Sequence, residues 1–336
     1  MENLHPRKYT ERAMTLADVP AVTDLFNAAS LADIGLEDSE AEELAVHYQT
    51  PGLDLNTDTL LIETREGQLA AMAEVWDVRE PRVRAWCWGT VHPDFRGQGL
   101  GRRLVNWMEE RGRWGLQRVP DGLRVSYTTN MPETNQAANQ LFTASGWKWA
   151  RQTRIMRIEM TEMPSLPVLP AGIEIRAVMP GEEKPVFQAM QESFLDHWGS
   201  VNEPFEVYFE RMMGYVTHTK DFDYSLWFAA YENDDVCGTA MNIPSVPEDA
   251  DMGWVNTLGV RRPWRKRGVG LALLQHTFGE FYQRGKHKVG LGVDALSLTG
   301  ATRLYERAGM KILRAYNVYE KEIRAGIELV TQSIAA

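Results

Sequence analysis

Apolar residues recur along this chain in two periods, and the same succession of periods occurs twice. After Glu11-Arg12-Ala13, Val19, Val22, Leu25 and Phe26 fall at helical spacing; after Ile175-Arg176-Ala177, Val186, Met190 and Phe194 do the same. Residues 60–64 and 69–76 flank the turn-prone pair Glu66-Gly67 and predict a hairpin, answered later by 226–231 and 236–242. Leu100, Leu104, Val105 and Met108 share one face of a predicted amphipathic helix, as do Leu271, Leu274, Phe278 and Phe281. Short strands are expected at 123–127 and 289–293. Each half then carries a last helix, Ala138-x-x-Leu141-Phe142-x-x-x-Gly146-Trp147 in one and Ala301-x-x-Leu304-Tyr305-x-x-x-Gly309-Met310 in the other, and a final strand of its own. The expected fold is therefore α+β in duplicate, each copy a mixed, mostly antiparallel sheet with helices on both faces. Beyond Ile323 the pattern predicts only a weak helix.

Between the hairpin and the amphipathic helix of each half stands a glycine loop. The first runs Val91-His-Pro-Asp-Phe-Arg96-Gly97-Gln98-Gly99-Leu100-Gly101, the second Val260-Arg-Arg-Pro-Trp-Arg265-Lys266-Arg267-Gly268-Val269-Gly270, and the two lie 169 residues apart. Glycines where a strand gives way to a helix let backbone N–H groups converge beside the positive helix end. Such a loop is an anion cradle, best suited to phosphate.

The repeat sets the domain boundaries: 1–160, a linker at 161–171, and 172–325. The linker reading rests on Met163-Pro-Ser-Leu-Pro-Val-Leu-Pro170, whose three prolines can continue neither a helix nor a central strand. A length of 336 residues with 44% hydrophobic content agrees with two domains of about 150 residues each. A formal net charge of −10 argues against a nucleic-acid partner, because phosphate backbones demand a broad basic footprint. No apolar run long enough to span a membrane and no signal-like amino terminus is present, so a cytoplasmic protein without a membrane partner is expected, as a monomer or homodimer. Cys87 and Cys237 sit singly in apolar stretches, which predicts buried, inert thiols and no metal site. The tryptophans beside the strands, Trp76, Trp86, Trp88, Trp227 and Trp254, are read as core mass.

The order Val-x-x-x-x-Arg-x-x-Gly-x-Gly, helix, then Ala-x-x-Leu-aromatic-x-x-x-Gly resembles the GNAT superfamily of acyl-CoA-dependent N-acetyltransferases. The doubled form resembles double-GNAT proteins of the mycothiol-synthase type. The resemblance implies acetyl-CoA as cofactor and a small-molecule amine as acceptor. It implies that the backbone around Leu258 and Val260 holds the carbonyl and pantetheine amides. The pyrophosphate would rest on the N–H groups of residues 265–270, with Arg265, Lys266 and Arg267 adding charge; residues 96–101 would form the corresponding loop of the first copy. Tyr305 takes the position from which a phenol donates to the departing sulfur. An unperturbed phenol, with a pKa near about 10, is protonated at neutral pH and has that proton to give.

Phe142 stands at the corresponding place and has no proton, so one catalytic domain, the second, and one degenerate domain are expected. The resemblance also gives Asn135 a CoA contact that the second half replaces by Leu298, with Ser297 and Thr299 beside it. An alkyl ammonium with a pKa near 10.4 is neutral in about one part in a few thousand at pH 7, so a base is required. Asp251, Asn256 through a water, and His197 are the candidates. His197 and Trp198, in Phe194-Leu-Asp-His-Trp-Gly199, form either an acceptor-binding loop or a locally capped histidine beside a core tryptophan. The first half has only the bland segment from Asn27 to Gly35 there. An acyl-CoA-binding sensor and a protein acetyltransferase are the competing functions.

Overall fold

The structure, a computed structural model, describes residues 8–165, 167–218, 222–297 and 299–332. The chain forms two compact units, Met1–Gln152 with Tyr316–Leu329, and Thr153–Ala315 with Val330–Ala336. These divisions differ from the boundaries at 160 and 172 expected above.

The first unit contains β1 (Tyr9–Arg12), α1 (Val19–Ile34), α2 (Ala41–His47), α3 (Leu55–Asp58), β2 (Thr59–Thr64), β3 (Leu69–Trp76), β4 (Arg84–Val91), α4 (Leu100–Gly115), β5 (Val125–Pro132) and α5 (Gln136–Ala144). A long strand, β6 (Lys148–Glu159), follows. The second unit repeats the series as β7 (Ile173–Ala177), α6 (Glu183–Phe194), α7 (Phe205–His218), β8 (Trp227–Glu232), β9 (Asp235–Ile243), β10 (Met252–Val260), α8 (Val269–Gln283), β11 (Lys288–Asp294) and α9 (Ala301–Arg307), and ends in β12 (Lys311–Arg324).

Each half was expected to finish its own sheet; instead the final strands serve opposite units. Residues 316–324 of β12 pair antiparallel with β5, from Tyr316 opposite Pro132 to Arg324 opposite Val125, and complete the first unit's sheet, β1-β2-β3-β4-β5-β12. Residues 153–159 of β6 pair antiparallel with β11 and complete the second, β7-β8-β9-β10-β11-β6. Without these partners β5 and β11 would each present a row of unpaired backbone groups. The mostly antiparallel character holds: β4 with β5 and β10 with β11 are the parallel pairs.

Alternation along β8 shows how the second unit buries both faces. Phe228 and Ala230 join Cys237, Ala240, Val269 and Leu273 beneath α8, while Trp227, Ala229 and Tyr231 meet Val186, Phe187 and Met190 of α6. The apolar stripe of α8 is Val269, Ala272, Leu273, Leu274, Phe278 and Phe281; Leu271, expected there, is half-buried. In α4 the expected face, Leu100, Leu104, Val105 and Met108, is buried as read. Both cysteines are buried free thiols. Trp227 is buried, and Trp76, Trp86, Trp88 and Trp254 are half-buried in their strands.

The first unit also buries charge. Arg111 of α4 donates to Asp58 Oδ1 through Nε at 2.8 Å and Nη2 at 2.6 Å, and to Asp77 at 3.2 Å, all three side chains being almost fully enclosed. Removing Arg111 leaves the fully enclosed Asp58 without its counter-charge, although Asp77 keeps Arg82 and Arg118, and stranding a buried charge in this way costs about 3–5 kcal/mol. Arg111→Leu is therefore expected to destabilise the first unit by that amount in urea unfolding, far more than loss of the exposed Lys184–Glu206 pair would.

Residues 325–332, which follow β12, are not helical. Leu123 bridges Ile327 in parallel, and Ile327 N–H donates to the Gly122 carbonyl at 2.8 Å, while Arg124 N–H donates to the Ile327 carbonyl at 2.9 Å. Gly326 lies so close to Gly122 and Leu123 that a Cβ would fall 2.4 Å from the Gly122 oxygen. That close approach in an extended conformation overrides a weak helical pattern.

Candidate active site

In the second unit β10 and β11 pair from Met252–Lys288 to Val255–Leu291 and no further. Beyond that point the parallel strands part. On its other side β10 stays paired with β9, but the register slips between Val255, opposite Asn242, and Thr257, opposite Met241. Asn256 is the extra residue of a bulge, which bends the strand and re-aims its polar groups. Past Val255, the N–H and C=O groups on the β11 side have no strand to satisfy them.

A cavity of about 140 Å³ occupies this opening. Residues 255–258 form one wall and 291–294 the other, closed by Phe194, His197, Trp198, Ser297, Ala301 and Tyr305. Tyr305 is 7% exposed, and its hydroxyl has no hydrogen-bond partner among the described residues. Burial raises its pKa to about 12, so the phenol stays protonated throughout the neutral range. His197 is pushed the other way, its pKa lowered by burial and by the nearby Arg265 charge, with Asp294 opposing. A neutral imidazole therefore shares this cavity with a protonated phenol.

The loop after β10 departs from the expected arrangement in one respect. Arg265 donates through Nε to the Val260 carbonyl at 2.9 Å, through Nη2 to the Ser193 carbonyl at 3.1 Å, and through Nη1 to Asp196. Asp196 is buried at the end of α6 and also takes two bonds from Arg262. Arg265 thus locks the loop onto α6, and its charge is already compensated. Arg267 pairs with Glu232 at 2.5 Å on the surface, a solvent-screened contact that a phosphate can displace. Lys266 is exposed and makes no ion pair among the described residues.

The glycines divide into two physical roles. Gly268 has φ +94° and caps α8, a conformation that residues with a Cβ seldom adopt, and Lys266 holds φ +61° where the first loop has Gly97 at +75°. Gly270 serves packing, because a Cβ there would lie 3.2 Å from Leu304, as one at Gly101 would lie 3.0 Å from Leu141. The last glycine of each loop and the leucine of each last helix are one contact. Four residues after Ala301, Tyr305 reaches the strand opening of the second unit.

The first unit repeats the frame with other contents. Arg96 binds Asp33 at 2.7 and 3.1 Å, the counterpart of Arg265 and Asp196, so the segment read as bland contains the loop's anchor. Asn135 caps α5, accepting from Ala138 N–H at 3.0 Å and donating to Asp33 at 2.8 Å. Gln98 accepts from Tyr9 and Lys8. Strands β3 and β4 pair in unbroken register from Ala71–Val91 to Trp76–Trp86, with no bulge. Phe142 is buried against Trp147 and stacked on Tyr319, with centroids 5.2 and 6.0 Å away.

Of the residues expected in the second site, Leu258, Asn256, His197, Trp198 and Tyr305 come together around the cavity. Asp251 does not: it precedes β10 at the far end of the strand, about 16 Å along the chain from Asn256. Leu298 lies outside the described residues. Asp196 and Asp294 escaped the sequence reading; the signal for Asp196 and Asp33 was an acid placed shortly before a glycine at the end of each first helix.

The chain matches the acetyltransferase (GNAT) family over residues 22–147 and again over 187–310. It is 29% identical over 299 residues to a mycothiol acetyltransferase of Thermobispora bispora, covering 88% of this chain and 93% of that protein. Among solved structures, a GCN5-related N-acetyltransferase from Sphaerobacter thermophilus is 37% identical with a TM-score of 0.79, over 96% of this chain and 98% of that one. A tandem GNAT protein from the clavulanic acid biosynthesis pathway shares the fold at 14% identity, with a TM-score of 0.70 over 95% and 100% of the two chains.

Proposed function

The chain belongs to the acetyltransferase (GNAT) family and is an N-acetyltransferase, and from that premise we propose that its second unit moves an acetyl group from acetyl-CoA to a primary amine of a small molecule. The observation that carries this reading is the cavity at the parting of β10 and β11, where unpaired strand groups, a neutral imidazole and an unpartnered phenol converge. Acetyl-CoA, when bound, supplies an acetyl carbonyl that gains negative charge and a sulfur that departs as the amine attacks.

The residues present fit such a donor. Backbone N–H groups of the bulged segment 255–258 are fixed before reaction, so they stabilise charge on a carbonyl oxygen without reorganising. Diphosphate would rest on the N-terminus of α8 at Gly268–Gly270, with Lys266 and a displaced Arg267 beside it. Tyr305 would donate its hydroxyl to the sulfur. With a pKa near 12 against about 8.5 for a thiol, full transfer runs about three and a half powers of ten uphill, so its role is a hydrogen bond to developing charge. His197 would take the ammonium proton, and Asp294 would attract that ammonium. The small size of the cavity and the similarity to a mycothiol acetyltransferase favour a mycothiol-related amine over a protein side chain as acceptor.

A titration calorimetry and free-thiol assay tests this, using acetyl-CoA with glucosamine, spermidine and phenylethylamine as probes. Binding of acetyl-CoA and amine-dependent thiol release are expected; tight binding without release to any amine would favour a sensor. The pH profile is a separate check. A histidine with lowered pKa remains neutral below the usual 6.5, so kcat at saturation should hold from pH 8 to 6.5 and fall only beneath it. In His197→Asn that acidic limb should vanish and kcat should drop at least about 100-fold. A limb unchanged by the substitution would remove His197 from the mechanism.

A further inference from the structure

His197 and Trp198 stand on the short segment between α6 and α7, and that segment is bound by residues far away in the chain. Gly199 N–H donates to the Thr331 carbonyl at 2.8 Å, and Thr331 N–H donates to the Ser200 carbonyl at 2.9 Å. The Thr331 hydroxyl donates to the Leu195 carbonyl at 3.0 Å, and Trp198 Nε1 donates to Gln332 at 2.9 Å. Val330, next to Thr331, is buried and fixes this strap in place. Inside the segment, His197 N–H bonds the Phe194 carbonyl and Ser200 N–H the His197 carbonyl, which form one turn only. Asp196 is tied to the glycine loop, so the segment is anchored at one end by Arg262 and Arg265 and at the other by Thr331.

We infer that residues 330–332 are a positioning strap for the acceptor side of the site, with Thr331 holding His197 and Trp198 against the cavity. This rests on the acetyl-transfer reading above. A free segment of this length would have to be ordered at each encounter with the amine, at a cost in conformational entropy for every residue fixed. Thr331 removes that cost beforehand, and its own hydrogen bonds go to Leu195, Gly199 and Ser200, none of them a residue of the glycine loop. The two substrates should therefore respond differently to its loss.

The test uses the full chain and two variants. Thr331→Pro removes both the N–H bond to Ser200 and the hydroxyl bond to Leu195; Thr331→Ser keeps both. With acetyl-CoA saturating and whichever probe amine the wild type turns over fastest, Thr331→Pro should raise the amine KM at least about 10-fold, leave the acetyl-CoA Kd within about twofold, and be rescued by Thr331→Ser. Equal losses for both substrates would mean general destabilisation and would overturn the assignment. Amide hydrogen exchange supplies a readout independent of turnover: Gly199 N–H should be protected in the wild type and lose protection in Thr331→Pro. An unprotected Gly199 in the wild type would refute the strap even if acetyl transfer were established. Protection without any amine turnover would instead refute the acetyl-transfer reading and leave the strap's contacts in place as architecture only, without its catalytic role.

Discussion

Tyr305→Phe is expected to lower kcat about 100- to 10,000-fold while leaving acetyl-CoA affinity within about twofold. The hydroxyl is the single atom removed, and it has no partner among the described residues whose loss could disturb the fold. Surrounding contacts from Val255, Leu291 and Ala301 involve the ring, which phenylalanine retains. In the first unit Phe142 sits buried at the corresponding place on the last helix, so a phenyl ring fits that position of the frame. Thiol release at saturating acetyl-CoA and amine reads the effect; a variant turning over within threefold of wild type would remove the phenol from the mechanism.

Gly268→Trp should abolish productive acetyl-CoA binding, for two independent reasons. At φ +94° any Cβ is strained, and the bulk of an indole would cover the N-terminus of α8, where the diphosphate is expected. Gly99 holds the same cap in α4 at φ +84°. Gly99→Trp therefore imposes equal backbone strain on the other unit, and the pair of variants separates loss of a site from loss of stability. Calorimetric titration should show the high-affinity acetyl-CoA isotherm in Gly99→Trp and not in Gly268→Trp.

What the sequence made legible were the features whose cause is local. Helix faces, the hairpins around Gly67 and Asn233, and the glycine loops follow from periodicity and backbone freedom, and they stand where the pattern placed them. The glycine–leucine coupling was visible only as two motifs recurring together; their contact at Gly270 and Leu304 explains why. Strand exchange was not legible, because β6 and β12 carry the same alternation whichever sheet they join. Only the register with β11 and β5 decides it.

The site divided along the same line. Tyr305 was nominated through the family resemblance that its motif carries, and Asn256 for its side chain, whereas the fold places Asn256 in a bulge of the strand. Arg265 was read as free charge because a sequence cannot show that Asp196, 69 residues earlier, already occupies it. Asp33 was hidden in a segment without aromatic or histidine markers, yet it does for Arg96 what Asp196 does for Arg265. The tail read as a weak helix turned out to reach the histidine segment through Thr331.

Acetyl transfer is proposed for the second unit alone. Thiol release from acetyl-CoA in the presence of a turned-over amine, measured side by side for Gly99→Trp and Gly268→Trp, tests it most directly. The account predicts near wild-type release from Gly99→Trp and release at background from Gly268→Trp; the reverse pattern, or equal loss in both, would contradict it.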